Sequence, residues 1–278
     1  MMKFLCSILI FCSALVLAQT KIMGDFSMKP SSYSAKVFEK SNFNIYYQFK
    51  LLKDIKLSQN PREGLCVLQI GENYSKFSDV KILKIDSLFE KFSHLDNNGA
   101  KEMNQLLMYK PLWEMESLKS SADKKIIYQK RYKTKYQYEE QQPEFTWQLH
   151  NDSKKILNYN CKKATAKYRG REYIAWYASE IPVNNGPYVF EGLPGLILEI
   201  EDSNNKYHFT AVGIDKKPMD IYLRNDKEIL KISREKFREV EKTYHDNPGA
   251  FHGKALNEDG SPIITKSKPL HYDPFELE

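Results

Sequence analysis

The middle of the chain consists of segments in which apolar and polar residues alternate, which is the pattern of half-buried β-strands. Phe43–Leu52 is rich in aromatic and β-branched residues, and Leu65–Ile70 is a second short apolar run. Lys125–Tyr138 alternates throughout, with mainly tyrosines on one face and mainly lysine, arginine and glutamine on the other. We predict one long strand there, with its aromatic face towards the core and its basic face outward.

Further strands are predicted where short apolar runs are separated by turn residues. They cover Ile156–Ala166, Glu172–Ala178, Leu196–Glu201, Lys206–Ile214 and Met219–Leu223.

Two segments have helical spacing. A short amphipathic helix is predicted within Asp79–Met108, followed by a loop near Gly99, and a second helix over Ile232–Tyr244 with Ser233 as N-cap. From Asn247 onward, Pro, Gly and polar residues predict an irregular, weakly packed C-terminal segment.

These elements predict a mainly antiparallel β (α+β) fold with one or two flanking helices. A curved β-meander and a two-sheet sandwich both fit the pattern. We expect a single β-rich domain over residues 19–224 and a C-terminal helix with an irregular tail over 225–278. Hydrophobic residues make up 41% of the chain, which is enough for a sizeable core.

The N-terminus has the three parts of a secretory signal peptide. Lys3 is followed by the apolar run Phe4–Leu17, and Ala18 ends a small-residue cleavage site before Gln19. The apolar run is shorter than the ~20 residues a membrane span needs. We expect cleavage near Ala18, and a soluble mature protein in the periplasm or outside the cell.

Charge and cysteine content refine this picture. A net charge of +6 is too mild to indicate nucleic-acid binding. Removal of the signal leaves Cys66 and Cys161, which predicts one disulfide in an exported chain, the alternative being two buried free thiols.

Several motifs follow one another between Gln137 and Ile214. They are Tyr159-Asn160-Cys161-Lys162-Lys163-Ala164, Gly170-Arg171, Ala175-Trp176-Tyr177, Ile181-Pro182, Gly186-Pro187-Tyr188 and Gly192-Leu193-Pro194-Gly195-Leu196-Ile197. In order and spacing this stretch resembles the GLPGLI family, exported proteins of Gram-negative bacteria named after the last motif. The resemblance implies a place in the cell envelope but no assigned reaction, so it brings no catalytic residue to any position here.

The GLPGLI motif has two physical interpretations. Gly192 and Gly195 bracket Pro194, which suits a tight turn before a strand that carries Leu196 into the core. Alternatively, Ile181–Gly195 is a loop that faces a ligand or partner, because loops of this composition often carry binding residues.

The sequence shows no established catalytic pattern. It contains no Gly-x-Ser-x-Gly elbow, no His-Glu-x-x-His zinc motif, no phosphate-binding glycine loop and no Cys-x-x-Cys pair. His245, Asp246 and His252 are close in sequence, but their spacing fits no metal-ligand pattern. We therefore expect no metal and no cofactor.

Two functional hypotheses remain. The first is a non-enzymatic binding protein that holds an apolar ligand, a peptide or an envelope protein against aromatic side chains. The aromatics that we expect to face this ligand are Tyr128, Tyr132, Tyr136 and Trp176. The basic face of the long strand could add a peripheral contact with the envelope. The second hypothesis is an exported hydrolase that uses Glu199 and Glu201, which share one face of a predicted strand.

Overall fold

The computed structural model describes residues 22, 27–52, 61–251 and 268–277. The predicted signal peptide lies outside the described residues, and so does His252. The strands are β1 (Ala35–Lys40), β2 (Phe43–Leu51), β3 (Arg62–Ile70), β4 (Tyr74–Asp79), β5 (Met115–Ser120), β6 (Lys125–Arg131), β7 (Lys135–Gln141), β8 (Gln148–Ile156), β9 (Tyr159–Tyr168), β10 (Arg171–Ala178), β11 (Leu196–Asp202), β12 (Tyr207–Asp215), β13 (Asp220–Arg224) and β14 (Leu230–Lys231). The helices are α1 (Val80–Ser93), α2 (Ala100–Leu107) and α3 (Arg234–Asp246), and a 3-10 turn covers Pro248–Phe251.

Twelve of these strands form one sheet in the order β14-β7-β6-β5-β4-β3-β2-β12-β11-β10-β9-β8. Strands β2 to β7 are neighbours in chain order, and so are β8 to β12, so the sheet is two antiparallel meanders joined where β12 pairs with β2. The predicted mainly antiparallel β fold with flanking helices is confirmed. The helix at the C-terminal end is confirmed as well, and Ser233 caps it by accepting a hydrogen bond from the Lys236 amide.

The prediction of one long strand over Lys125–Tyr138 is wrong. The chain reverses at Tyr132–Thr134, where the Tyr132 amide bonds to the Thr134 carbonyl, and Arg131 then pairs with Lys135 across a hairpin. The face that was expected to be basic and outward is not a continuous surface. The hairpin interrupts it, and Gln129, Lys135 and Gln137 are buried.

A second layer explains that burial. The ribbon formed by β1 and β13 packs with α1 over the outer face of β4 to β7. Beneath it, Glu116 lies 2.8 Å from Lys76 and 2.7 Å from Lys135. Burial opposes the charge of Glu116, but Lys135 and Lys76 outweigh it and lower its pKa to about 2.

The inner face of the sheet carries the main core, which is mostly aromatic. The rings of Phe49 and Phe209 stack at 4.5 Å, and Trp113 meets Phe209 edge-on at 5.3 Å. Helix α3 adds Phe237, which packs on Tyr138 of β7 at 4.8 Å. The core is thus closed by the sheet on one side and by α3 and loops on the other.

The predicted disulfide between Cys66 and Cys161 is not formed, and both thiols are free and buried. Cys66 lies in β3 and Cys161 in β9, and four strands of the sheet separate them. A disulfide needs Cα atoms within roughly 7 Å, whereas neighbouring strands alone are about 4.8 Å apart.

Candidate functional site

Three of the four predicted ligand-facing aromatics lie together, and the fourth does not. Tyr128, Tyr132 and Tyr136 belong to the β6–β7 hairpin on the side that faces α3. Trp176 lies on the other face of the sheet, where Lys154 sits 4.4 Å from the centre of its ring. Its neighbours Ala175 and Tyr177 point into the core, as strand alternation requires.

Tyr128 is fully packed, with its ring stacked on Tyr138 at 4.6 Å and no exposed surface. Tyr132 is half-buried and its hydroxyl donates to Glu241 of α3 at 3.1 Å. Tyr128 therefore belongs to the protein's own core, and Tyr132 supports the helix.

The signature loop, residues 181–195, crosses the inner face of the sheet. The hydroxyl of Ser117 in β5 donates to the Tyr188 carbonyl at 3.2 Å, and Lys119 contacts both Asn185 and Glu191. Residues 185–190 are buried as a result.

The motif residues within this loop point mainly inward. Leu193, Leu196 and Ile197 are buried, whereas Gly192 and Pro194 are exposed. Gly195 has φ +152°, and a Cβ there would lie 2.3 Å from the Ala178 carbonyl oxygen. The motif therefore forms a turn whose backbone touches β10, and only Gly192 and Pro194 are accessible to a partner.

A cleft of about 260 Å³ opens between the inner face of the sheet, α3 and the C-terminal residues. Its floor is aromatic and includes Trp113, Tyr207 and Phe275. Trp113 is only 6% exposed, and its Nε1–H has no acceptor among the described residues.

Charged groups of both signs surround this floor. Glu241 accepts from Lys130 at 3.0 Å and pairs with Arg238 at 3.3 Å. Burial opposes its charge, but Lys130 outweighs that effect and holds the pKa of Glu241 below its usual value. Arg62 and Glu114 add exposed charges at the rim.

The C-terminal residues Asp273–Leu277, here called the strap, form one wall of the cleft. Arg171 of β10 donates to the Phe275 carbonyl at 2.9 Å, to the Pro274 carbonyl at 2.8 Å and to Asp273 at 2.7 Å. Lys206 forms a second ion pair with Asp273. The prediction of a weakly packed C-terminal segment is therefore wrong for these residues.

The strap also inserts a carboxylate into the interior. Glu276 is 6% exposed and accepts from the hydroxyls of Tyr168 at 3.0 Å and Tyr188 at 2.8 Å, while Arg234 of α3 pairs with it at 2.9 Å. Burial, and then the charge of Glu276, raise the pKa of the nearby Glu140. Two carboxylates, those of Glu140 and Glu276, thus lie close together in the interior, and tyrosine hydroxyls donate hydrogen bonds to both.

The carboxylates of the hydrolase hypothesis lie elsewhere. Glu199 and Glu201 alternate with the core residue Ile200, so they project from the outer face of β11. Burial opposes the charge of Glu199, but hydrogen bonds from His208 and Lys154 outweigh it and lower the pKa. A general acid needs a raised pKa, so this geometry adds no support for hydrolysis.

One group of described residues has donor atoms close enough for a metal ion. These atoms belong to Glu199, Glu201 and His208 and lie within 4.8 Å of one another. Lys154 already neutralises Glu199 at 2.6 Å. His245, which the sequence placed beside Asp246, instead uses its Nδ1 for a bond with the Glu241 carbonyl.

A short stretch of the chain matches the model of a protein family of unknown function. The sequence profile of a family described as "Protein of unknown function (Porph_ging)" matches residues 168–199. The match includes Gly192–Ile197 and is consistent with the GLPGLI resemblance. No curated protein gives a significant match.

Two solved structures of PNGF-II are similar to this chain. The structure in space group P21 is 13% identical to this chain, with a TM-score of 0.47. The alignment covers 73% of this chain and 33% of the PNGF-II chain. The structure in space group C2 is also 13% identical, with a TM-score of 0.49. That alignment covers 72% of this chain and 32% of the PNGF-II chain. The chain thus corresponds to about a third of the length of these proteins.

None of the helices among the described residues has the length and apolar character needed to cross a membrane.

The matched stretch supplies much of the surface that holds the strap. Arg171 lies in it, and so do the two tyrosines that donate to Glu276 and two of the rings around Phe275. Sequence reasoning missed Phe275 and Glu276, and it missed Trp113 of the cleft. The only sequence feature that marks Phe275 and Glu276 is an aromatic residue next to an acidic one within a polar C-terminal segment.

Proposed function

We propose that this chain is an exported, non-enzymatic binding protein whose ligand occupies the cleft between the inner face of the sheet, α3 and the strap. The observation that carries the proposal is the combination of an aromatic floor with a rim charged in both signs. Ligand sites in proteins are typically concave and apolar, with a few polar groups that fix orientation. The N-terminal signal pattern supports export.

The lining indicates the class of ligand. Trp113, Tyr207 and Phe275 offer ring surface to an apolar or aromatic group. Arg62 and Arg238 suit an anionic group at the rim, and Glu114 suits a cationic one. The volume of about 260 Å³ admits a small amphipathic molecule or a single side chain of a larger partner.

The test is ligand capture with a blocked cleft. The mature chain is incubated with lipid and peptide extracts of its native envelope, re-purified, and analysed by mass spectrometry. Met115→Trp places a larger side chain at the lining of the cleft. Met108→Trp is the matched control, because Met108 is 65% exposed at the end of α2.

The expected result is a ligand retained by the wild-type chain and by Met108→Trp, and lost from Met115→Trp. Equal retention by all three proteins would place the ligand outside the cleft and contradict the proposal.

A further inference from the structure

The strap is held as a bound peptide is held. It lies in no strand or helix, and among the described residues its one backbone-to-backbone hydrogen bond joins the Leu277 amide to the Arg169 carbonyl at 3.0 Å. Its other polar contacts are with side chains of the body of the protein. Side chains at fixed positions thus recognise a short segment that has no regular secondary structure and bends at Phe275.

Arg171 recognises the backbone of the strap and its first carboxylate. Its guanidinium contacts three consecutive residues, Asp273, Pro274 and Phe275. The side chain is 5% exposed and is held from behind by Asp202 at 3.3 Å. A planar guanidinium with fixed donors is well suited to reading several acceptors at once.

An aromatic socket recognises the third residue. The ring of Phe275 lies 4.8 Å from Tyr207, 5.1 Å from Trp113 and 5.2 Å from Tyr188, in edge-to-face contacts. Edge-to-face packing of this kind favours an aromatic guest over an aliphatic one.

A buried polar pocket recognises the fourth residue. The hydroxyls of Tyr168 and Tyr188 and the guanidinium of Arg234 come from three separate elements and meet at the Glu276 carboxylate. Hydrogen bonds from these three groups compensate the carboxylate for its removal from water. An uncharged amide in its place would satisfy these donors less well.

We infer that the surface that holds the strap, here called the seat, is a peptide-recognition site for a short segment of the pattern Asp-x-Phe-Glu. The strap of this chain fills that site in the structure. A partner polypeptide that carries this acidic, aromatic and acidic pattern binds in the same seat by displacing the strap. The inference adds to the proposed cleft ligand and does not depend on it, since the cleft ligand binds beside the strap and the peptide replaces it.

Competition determines the expected affinities. The strap is part of the same chain, so its effective concentration at the seat is on the order of millimolar. An external peptide therefore binds the intact chain weakly, and it binds more tightly when the strap is weakened, in proportion to the fraction of open seats.

The test is fluorescence anisotropy with a labelled peptide, Tyr-Asp-Pro-Phe-Glu-Leu-Glu, added to the full chain. Phe275→Ala weakens the strap and leaves the seat intact. Leu270→Ala is the matched control, because Leu270 is exposed and precedes the strap. We expect the peptide to bind Phe275→Ala at least tenfold more tightly than it binds the wild-type chain or Leu270→Ala.

Two further arms test specificity. A peptide with Ala in place of Phe should lose at least tenfold in affinity for the Phe275→Ala chain. Adding Tyr188→Phe to that chain should weaken binding of the original peptide about fivefold, and should change little for a peptide with Gln in place of the first Glu.

A further variant separates this inference from the cleft ligand. Met115→Trp, the cleft variant, should still bind the peptide when it is combined with Phe275→Ala.

The inference is overturned if folded Phe275→Ala, judged by circular dichroism, binds the peptide no better than Leu270→Ala does. Equal affinity for the Phe and Ala peptides would overturn it as well. Should Phe275→Ala not fold, Glu276→Gln takes its place with the same expectations and the same contradicting results.

Discussion

Arg171 donates from Nε to the carbonyl oxygen of Phe275 at 2.9 Å, although 104 positions separate these residues in the chain. The same guanidinium pairs with Asp202 at the end of β11. One side chain thus fixes the C-terminus against the β10–β11 hairpin and shapes a wall of the cleft. The candidate site depends on this long-range contact.

Replacing Arg171 by lysine should loosen the strap. Arg171→Lys keeps the positive charge but cannot contact Asp273, Pro274 and Phe275 together. We expect the free energy of unfolding to fall by about 2 kcal/mol, and carboxypeptidase to remove the C-terminal residues faster. Arg62→Lys, at the exposed start of β3, is the control for urea unfolding and for digestion. Digestion of Arg171→Lys at the wild-type rate would contradict the account.

The glycine turn of the GLPGLI motif should tolerate no side chain. In Gly195→Ala the new Cβ meets the Ala178 carbonyl oxygen, and φ +152° is a conformation that alanine rarely adopts. We expect a loss of about 3 kcal/mol in urea unfolding. Gly213→Ala in β12 is the matched control, since a Cβ added at Gly213 would meet no other atom within 4 Å. Similar losses in both variants would show that the turn is not constrained by contact with β10.

The buried Glu116 should make the free energy of unfolding depend on pH in the acidic range. Its pKa of about 2 in the folded protein lies below the value of about 4.3 in an unfolded chain. The ionised group therefore contributes its full stabilisation above about pH 4.3, and loses it as the pH falls towards 2.

The measurement is urea unfolding of the wild-type chain and Glu116→Gln between pH 6 and pH 2. We expect the difference in unfolding free energy to shrink by about 3 kcal/mol over the lower part of that range. Glu63→Gln is the exposed control and should differ from wild type by less than about 0.5 kcal/mol. A difference for Glu116→Gln that stays constant with pH would contradict the assigned shift.

Much of the fold could be predicted from alternation, because strands such as β2 and β11 carry a clear apolar face. The hairpin at Tyr132–Thr134 could not, since it contains none of the Gly, Pro, Asn or Asp residues that normally mark a turn. The burial of Lys135 could not be predicted either. A lysine in an alternating strand indicates a solvent face, and only the ribbon of β1 and β13 supplies the second layer that covers it.

The site was harder to predict than the fold. Tyr128 was correctly placed on the inner face of a strand, but Tyr138 and Tyr188 fill the space beside it. Phe275 and Glu276 stand in a polar tail with no periodicity, and an aromatic residue beside an acidic one does not by itself indicate that both pack against the inner face of the sheet. Their partners lie far away in the sequence, between Trp113 and Arg234.

The two cysteines should remain reduced and unreactive in the folded protein. Burial raises the pKa of the Cys66 thiol, and it raises that of Cys161 to about 11. In a chain without residues 1–18, we expect neither thiol to react with a thiol reagent at pH 7 until urea unfolds the protein. A reductant should leave the melting temperature unchanged, whereas a lower melting temperature in reductant would indicate a disulfide.

The tryptophan side chains offer the most direct test of ligand binding at the cleft. The Trp113 indole lines the cleft, whereas Trp176 lies on the outer face of the sheet. The measurement is a ¹H–¹⁵N spectrum of the labelled chain without residues 1–18, titrated with the fraction of envelope extract that yields a retained ligand. The account predicts that the Trp113 indole resonance shifts and that of Trp176 does not. A shift of Trp176 alone, with Trp113 unchanged, would contradict it.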